Sequence, residues 1–245
     1  MRKLYYVLFF LILSTAKVFG VDYNASEFGC ISDGQTNNTR SIQAAIDLIS
    51  SKGGGTLNFY VGRYLTGGLE LKSNVTLKLH EGAVLVASDS FYDFLERNGK
   101  RYMIYADNQS QVNIIGKGVI QGQSAAVLAS INKQYSNGII SGTVMDLSPI
   151  LIGIYNCRQV ELNGIMLNDS AGDIIHIEHS SEIVLKDQII KSRNSNSRGI
   201  VLLNSIEVQF EDLFVDISGK ALDRDKLSRI KKIKKSITPN GKSIL

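Results

Sequence analysis

The chain has 245 residues, of which 44% are hydrophobic, with 22 glycines, two prolines and no tryptophan. This composition suits a single β-rich domain with a sizeable core. The formal net charge of +4 hides two opposite blocks, because residues 21–218 hold 15 basic and 21 acidic residues whereas residues 219–245 hold nine basic and two acidic ones. The basic block contains no interleaved aromatic residues, so we interpret it as a solvated end and expect no nucleic acid binding.

The first twenty residues have the pattern of an export signal. Two basic residues precede an apolar run from Tyr5 to Leu13, and Val18 and Gly20 occupy suitable positions before a cleavage site. The apolar run is short for a membrane span, although a retained membrane anchor is the alternative. We therefore expect a mature chain that begins near Val21, is secreted or periplasmic, and has no membrane contact after cleavage.

A helix is predicted directly after Asn38. Apolar residues recur there at the spacing of one helix face, at Ile42, Ala45, Ile46 and Ile49. Asn37 or Asn38 can cap the N-terminus, and the glycines at 53–55 end the helix. These glycines follow the helix instead of preceding one, which argues against a phosphate-binding loop. We expect the helix to cover the open end of a core made by the strands that follow.

Short strands separated by glycine-containing turns come next. They are predicted over Thr56–Tyr60, Leu69–Leu71, Val75–Leu79 and Ala83–Val86. The mixed segment 88–101 should loop out of this arrangement, and 102–123 should resume it. Residues 124–145 have weak periodicity, so we expect an excursion with a short helix around 125–131.

A motif then repeats itself. Residues 156–162 return as residues 179–185 and again as 204–210, so that Val160, Ile183 and Val208 occupy equivalent positions of the three copies. An earlier copy, residues 108–114, precedes the first of these copies by about twice the repeat spacing. We interpret this distance as two periods. Apolar and polar residues alternate within each copy, as in a strand. A period of roughly 24 residues with strand-like alternation predicts an all-β parallel β-helix, a solenoid whose coils each add a few strands.

Residues 220–245 are predicted to be a basic tail outside the β-helix domain of residues 21–219. Its apolar residues Leu227, Ile230 and Ile233 are spaced as on one face of a short helix. Such a helix would cap the C-terminal end of the solenoid, and a disordered tail is the alternative.

The two cysteines, Cys30 and Cys157, are far apart in the sequence. An exported chain can form a disulfide, but this spacing gives no disulfide framework, and two buried thiols are the simpler expectation. No zinc-type cluster is present in the sequence, so we expect no metal or other cofactor.

The front of the chain resembles a known superfamily. The residues that carry the resemblance are Phe28-Gly29, Asp33 to Thr39, Ile42 to Asp47 and Gly53 to Thr56, which resemble the opening of the pectate-lyase-like right-handed β-helix proteins. The runs Tyr64 to Leu77, His80 to Ala83 and Gly116 to Gln123 are similar to the polygalacturonase-like family 28 of glycoside hydrolases, although that family usually has Asp where Gln121 stands. Asp169-Ser170-Ala171 with Ile175-His176 stands where the family has an Asn-Ser-Pro … Ile-His run. The resemblance covers roughly residues 25–219.

This resemblance implies a right-handed parallel β-helix that hydrolyses pectic polysaccharides with inversion. The family places one aspartate in an Asn-Thr-Asp-Gly run and a pair of aspartates in a Gly-Asp-Asp run one coil later. Inverting hydrolysis needs one carboxyl group as the acid and another as the base that activates water. Clustered like charges raise the pKa of the acid so that it stays protonated.

The chain departs from the family at these positions. Arg198 stands at the position of the first aspartate, and Lys220 and Ala221 replace the pair. A basic residue cannot replace a carboxyl group as acid or base at neutral pH. The later Gly-His-Gly and Arg-Ile-Lys motifs have no counterpart. Residues 229–231 match the letters of the second motif, but they lie among repeated basic residues, and we do not count them. The resemblance is thus to a C-terminally truncated member, and no catalytic residue is assigned.

Four residues are candidates for substrate binding. Counting back one period from Arg198 places Asp173 beside it, and His176 and Glu178 share the outward parity of their strand. Together the four would form a polar patch on the face where the family binds sugar. The alternative is that they are ordinary solvent-facing residues.

Other hypotheses about the site have less support from the sequence. Asp223 and Asp225 could replace the lost pair, but they alternate with basic residues as a solvated segment does. A calcium-dependent lyase could use Arg193 or Arg198 as the base, with Asp169 and Asp173, yet no lyase motif is present. For stacking against sugar rings, the nearest aromatic candidates are Tyr135 and Tyr155.

Two functions remain open. The first is a secreted glycoside hydrolase of the polygalacturonase type, acting as a monomer on pectic or another acidic polysaccharide. The alternative is a catalytically inactive relative, either carbohydrate-binding or vestigial. The missing carboxylates favour inactivity.

Overall fold

The computed structural model describes residues 20–195 and 197–245. Apart from Gly20, the predicted export signal lies outside the described residues, and the first strand begins at Val21. Within the described ranges, no helix is both long and apolar enough to cross a membrane.

The chain folds as a right-handed parallel β-helix with three sheets along its length. The first sheet contains β1 (Val21–Asn24), β3 (Gly55–Phe59), β6 (Val75–Leu79), β10 (Ser110–Gly116), β13 (Arg158–Asn163), β16 (Ser181–Lys186), β19 (Val208–Glu211) and β22 (Ile230–Lys234). The second contains β2 (Asp33–Asn37), β4 (Gly62–Thr66), β7 (Ala83–Ala87), β11 (Val119–Gln121), β14 (Met166–Asn168), β17 (Ile189–Ser192) and β20 (Phe214–Ile217). The third contains β5 (Leu69–Glu70), β9 (Lys100–Asp107), β12 (Ile150–Tyr155), β15 (Ile175–Glu178), β18 (Ile200–Leu203) and β21 (Leu222–Arg224). The predicted fold class is confirmed.

The strand register follows the sequence repeat. Val160 lies beside Ile183, and Leu185 lies beside Phe210, so equivalent residues of successive copies stack as columns of the core. Val112 also lies directly beside Val160. The segment between Val112 and Val160 therefore forms one coil, and its interpretation as two periods is wrong.

The extra length of that coil is an excursion away from the sheets. It contains helix α2 (Ser124–Ser136) and helix α3 (Val144–Leu147), in agreement with the predicted excursion. Residues Leu95–Arg97 (β8) likewise leave the coil and form an antiparallel hairpin with β9.

A column of turns connects the third sheet to the first. The residues that open the repeat copies have positive φ, with values of 50° for Asn156, 50° for His179 and 43° for Asn204. Inside these turns the Cys157 amide donates to the Ser180 hydroxyl, and the Ser180 amide donates to the Ser205 hydroxyl, each at 3.0 Å. The buried backbone groups are thus satisfied from one coil to the next.

Helix α1 (Thr39–Ser51) covers the N-terminal end of the core, and the predicted apolar face is fully buried. Asn38 is the N-cap residue but makes no capping hydrogen bond with its side chain. The side-chain oxygen of the preceding Asn37 accepts from the Thr39 amide at 3.0 Å. The Asn38 side chain is buried instead and bridges the Ile31 backbone, accepting from its amide and donating to its carbonyl.

The helix predicted in the basic tail is wrong. The segment after Gly219 adds β21 and β22 to the third and first sheets, where Ile230 aligns with Val208 and Ile233 with Phe210. A β-bulge between these pairs places two core residues three positions apart, which imitates helical spacing. Residues 236–245 then fold over the end, and the Ile244 side chain is only 4% exposed.

Both cysteines are buried and free. Burial raises the pKa of each thiol to about 11. The expectation of two buried thiols is confirmed.

Candidate functional site

A cleft of about 380 Å³ opens outside the third sheet. One wall is the β8–β9 hairpin turn at Asn98–Lys100, and the opposite wall is the end of the excursion at Met145–Ser148. The coil loop Ala171–Asp173 and the side chain of Arg198 complete the lining. Two of the four predicted substrate-binding residues, Asp173 and Arg198, therefore lie in one cleft.

Arg198 joins three successive coils through ion pairs. Its Nε and Nη2 atoms donate to the two carboxylate oxygens of Asp173 at 2.9 and 2.7 Å, as the sequence repeat predicts. Its Nη1 atom donates to Asp223 at 2.7 Å, and Lys220 donates to the other oxygen of Asp223 at 2.7 Å. We call Asp173, Arg198, Asp223 and Lys220 the ion-pair ladder.

The ladder keeps its carboxyl groups ionised. Burial alone would raise the pKa of Asp173, but the neighbouring side chains of His176 and Arg198 outweigh it and lower the pKa to about 2. Hydrogen bonds from Lys220 and Arg198 lower the pKa of Asp223. The hydrogen bonds to Asp173 and Asp223 raise the pKa of Arg198. At neutral pH the ladder contains two anions and two cations.

His176 lies outside the core but away from solvent. Its side chain is 2% exposed, and its ring stacks on Tyr155 with centroids 5.4 Å apart. Nδ1 is 3.6 Å from Asp173, while Nε2 is 3.4 Å from Glu178. His176 therefore lies next to Asp173 and does not line the cleft.

Tyr155 belongs to a buried aromatic layer on the outer face of the third sheet. Its hydroxyl accepts from that of Tyr102 at 3.0 Å, and both rings pack with Tyr105. A Cβ at Gly153 would lie 2.6 Å from the Tyr102 ring, so the layer depends on glycine there. Desolvation raises the pKa of Tyr155. Tyr155 is partly buried, stacks on His176 and does not line the cleft.

The remaining candidates are dispersed. The Asp169 carboxylate accepts from the Ser124 hydroxyl at the start of α2, and the Arg193 guanidinium forms two hydrogen bonds with Asp216. Asp225 accepts from Ser228 and from the Asn204 amide. Tyr135 is 55% exposed but does not line the cleft.

Sequence reasoning missed the outer walls of the cleft. Lys100 and Asp146 come from the hairpin and the excursion, which interrupt the repeat. The repeat aligns coils with one another and carries no information on segments that leave them, so no signal in the sequence identified these residues.

Comparisons with known proteins agree with this architecture. A crystal structure of a glycosyl hydrolase-type protein from Parabacteroides merdae has a TM-score of 0.86 and 41% identity, and the match covers 92% of this chain and 99% of that one. A family 28 exopolygalacturonase from Yersinia enterocolitica has the same fold, with a TM-score of 0.73, 24% identity and coverage of 84% of this chain and 45% of that chain.

Sequence relatives are longer than this chain. A polygalacturonase-type protein of Vitis vinifera is 29% identical over 79% of this chain and 42% of its own length. The exo-poly-alpha-D-galacturonosidase of Dickeya chrysanthemi is 33% identical over 40% of this chain and 19% of its own length. The model of the glycosyl hydrolases family 28 matches residues 56–220, more than half of the sequence. The chain therefore belongs to glycosyl hydrolases family 28.

Proposed function

We propose that the cleft at Arg198 binds a pectic polysaccharide and that this chain does not cleave it by the paired-carboxylate mechanism of its family. Family membership and the polygalacturonase-type relatives support the ligand class. The second part rests on Arg198, Lys220 and Ala221, which occupy the positions where the resemblance places the family's carboxylates. Two of these residues, Arg198 and Lys220, belong to the ion-pair ladder.

Inverting hydrolysis needs a protonated carboxyl group beside the leaving oxygen and a second, ionised one that holds water. Asp173, with a pKa of about 2, is fully ionised at neutral pH and cannot donate a proton. Asp223 is ionised as well, because hydrogen bonds from Lys220 and Arg198 lower its pKa. An acid and a base in separate protonation states are therefore not available in the ladder.

The cleft nevertheless has groups suited to a sugar chain. Asn98 and Ser148 supply neutral polar groups for hydroxyls, and Lys100 supplies a cation for a uronate carboxylate. The apolar side chain of Met145 lies among them. Convergent polar groups with some apolar surface in a concave site are typical of ligand binding.

The first test is a turnover assay of the purified mature chain with polygalacturonate and rhamnogalacturonan. We expect no new reducing ends above buffer and no ultraviolet absorbance from unsaturated products, because the ladder provides no acid. Turnover that disappears in Asp173→Asn or Glu178→Gln would contradict the proposal and reveal a relocated hydrolytic site. Absorbing products would instead indicate a lyase.

The second test measures binding of oligogalacturonides by calorimetry. Lys100→Gln should weaken binding about fivefold, the effect of losing one partly screened ionic contact. Lys117→Gln, an exposed lysine outside the cleft, is the matched control and should leave the affinity unchanged. Equal affinities for the two variants would place the ligand elsewhere.

We also propose that the chain acts after export. The basic, apolar and small-residue segments at its start support this. Expression in a bacterium with intact secretion should yield a mature protein whose N-terminus, measured by mass spectrometry, lies near Val21. A protein that retains Met1 in the membrane fraction would support a membrane anchor instead.

A further inference from the structure

The last coil has a dense set of cations outside ion pairs. Residues 219–245 contain nine basic and two acidic residues. Among the basic residues of this block that the structure describes, Lys220 and Lys232 form ion pairs. The other basic side chains are all exposed and outside ion pairs: Arg224, Lys226, Arg229, Lys231, Lys234, Lys235 and Lys242.

The fold prevents these cations from being neutralised within the coil. Asp223 is occupied by Arg198 and Lys220 in the ion-pair ladder. Asp225 accepts hydrogen bonds from Ser228 and from the Asn204 amide inside its turn. Both acidic residues of the block are thus used in holding coils together. Glu182 and Glu211 of the preceding coils interact with Lys231 and Lys234, which help to lower the pKa of these two carboxyl groups. The block nevertheless keeps a surplus of positive charge at its surface.

The end of the solenoid also places cations around a shallow cavity. It measures about 200 Å³ and is lined by Arg224, Ile230, Lys231, Lys232, Ile233 and Leu245. Arg224 aligns with the core residue Leu202 but lies in β21, the last strand of the third sheet, and Lys231 is the extra residue of the β-bulge. Strand pairing in the last coil fixes the positions of Arg224 and Lys231, so this segment is not a disordered tail.

We propose that this end face, defined as Arg224, Lys226, Arg229, Lys231, Lys234 and Lys235, is a second binding surface for an acidic polysaccharide. The chemical class of the ligand rests on the proposed function, whereas the location of this second surface rests on the end face alone. The rest of the mature chain is acidic, with 21 acidic and 15 basic residues over 21–218, so it repels a polyanion that the end face attracts.

A polyuronate fits this surface better than a single-stranded nucleic acid does. Residues 219–245 contain no aromatic side chain on which a base could stack. A polyuronate needs no stacking, since it presents a carboxylate on each sugar, and several weak ionic contacts along one chain add through high effective concentration.

The experiment compares two triple variants of the mature chain. The end-face variant carries Arg224→Gln, Lys231→Gln and Lys234→Gln. The matched control carries Arg40→Gln, Lys117→Gln and Lys133→Gln, which removes the same charge from three exposed positions elsewhere that form no ion pair in the described part of the chain. Because all six side chains are exposed, both variants should melt at the temperature of the unmodified protein.

Binding to polygalacturonate is measured at low salt by affinity electrophoresis. We expect the end-face variant to bind about tenfold more weakly and the control to stay within about twofold. The difference should shrink as salt rises, since exposed charges are screened. It should vanish with fully methyl-esterified pectin, which has the same backbone without the charges.

Equal binding by the two triple variants would overturn the end-face proposal. If Lys100→Gln weakens binding in that case, the proposed function survives without the second surface. If neither the unmodified protein nor Lys100→Gln binds any polygalacturonate, both proposals fail. A DNA duplex of matched charge that binds as tightly as polygalacturonate would overturn the assignment to a polysaccharide.

Discussion

Replacing Arg198 by leucine is expected to lower the free energy of unfolding by about 3–5 kcal/mol at neutral pH. The substitution leaves the Asp173 carboxylate, which is 8% exposed, without the partner that donates two hydrogen bonds to it. Desolvation of an unpaired anion is costly. The substitution also removes the hydrogen bond from Arg198 to Asp223, through which Arg198 links Asp173 to Asp223. Urea unfolding monitored by circular dichroism measures the loss.

Arg193→Leu is the matched control. Arg193 also donates two hydrogen bonds to an aspartate one coil away, Asp216, at 2.9 Å each. Its side chain is 77% exposed, so water replaces the lost contacts and we expect a loss of at most about 1 kcal/mol. Similar losses in the two variants would show that the burial of the ladder does not matter.

The pH dependence gives a second signature of the ladder. The pKa of Asp173 is lowered from 3.8 to about 2, so the ionised group stabilises the fold above pH 4. This contribution is lost as the pH falls from about 4 to about 2. In Arg198→Leu the Asp173 carboxyl loses the contribution of Arg198 that lowers its pKa, so we expect this pKa to rise from about 2. The stability difference between the two proteins should therefore narrow as the pH falls to about 2, and a constant difference would contradict the assignment.

Truncation of Ile244 is expected to have the second large effect. Ile244 is 4% exposed and belongs to the main core, which it covers at the C-terminal end together with Leu222 and Ile233. Ile244→Ala should cost about 2–5 kcal/mol, or roughly 5–15 °C in melting temperature for a chain of this size. Differential scanning calorimetry measures the shift.

The neighbouring Leu245→Ala is the control, since Leu245 is 69% exposed and should change the melting temperature little. Deletion of residues 222–245 should have a larger effect than Ile244→Ala, because it exposes the apolar columns that end at Leu202 and Phe210. A deletion variant that melts as the full chain does would show that the last coil does not cap the core.

The sequence by itself determined the coil architecture. Each coil must bury its inward apolar residues against equivalent residues of the next coil, so the near-constant repeat spacing already contained the register of Val160, Ile183 and Val208. The repeat also placed Arg198 one coil after Asp173, whereas the N-terminal helix was identified from the helical spacing of its apolar residues. The relations between coils depend on the alternation of apolar and polar residues within each strand and on the repeat, and both can be recognised in the sequence alone.

Only the tertiary structure decided the features that interrupt the repeat. The bulge at Lys231 made two core residues look like one face of a helix, and the excursion made one coil look like two. The cleft depends on how the excursion and the hairpin at Lys100 fold back beside Arg198. Such packing has no period in the sequence, because it joins segments that are distant along the chain and belong to no common repeat.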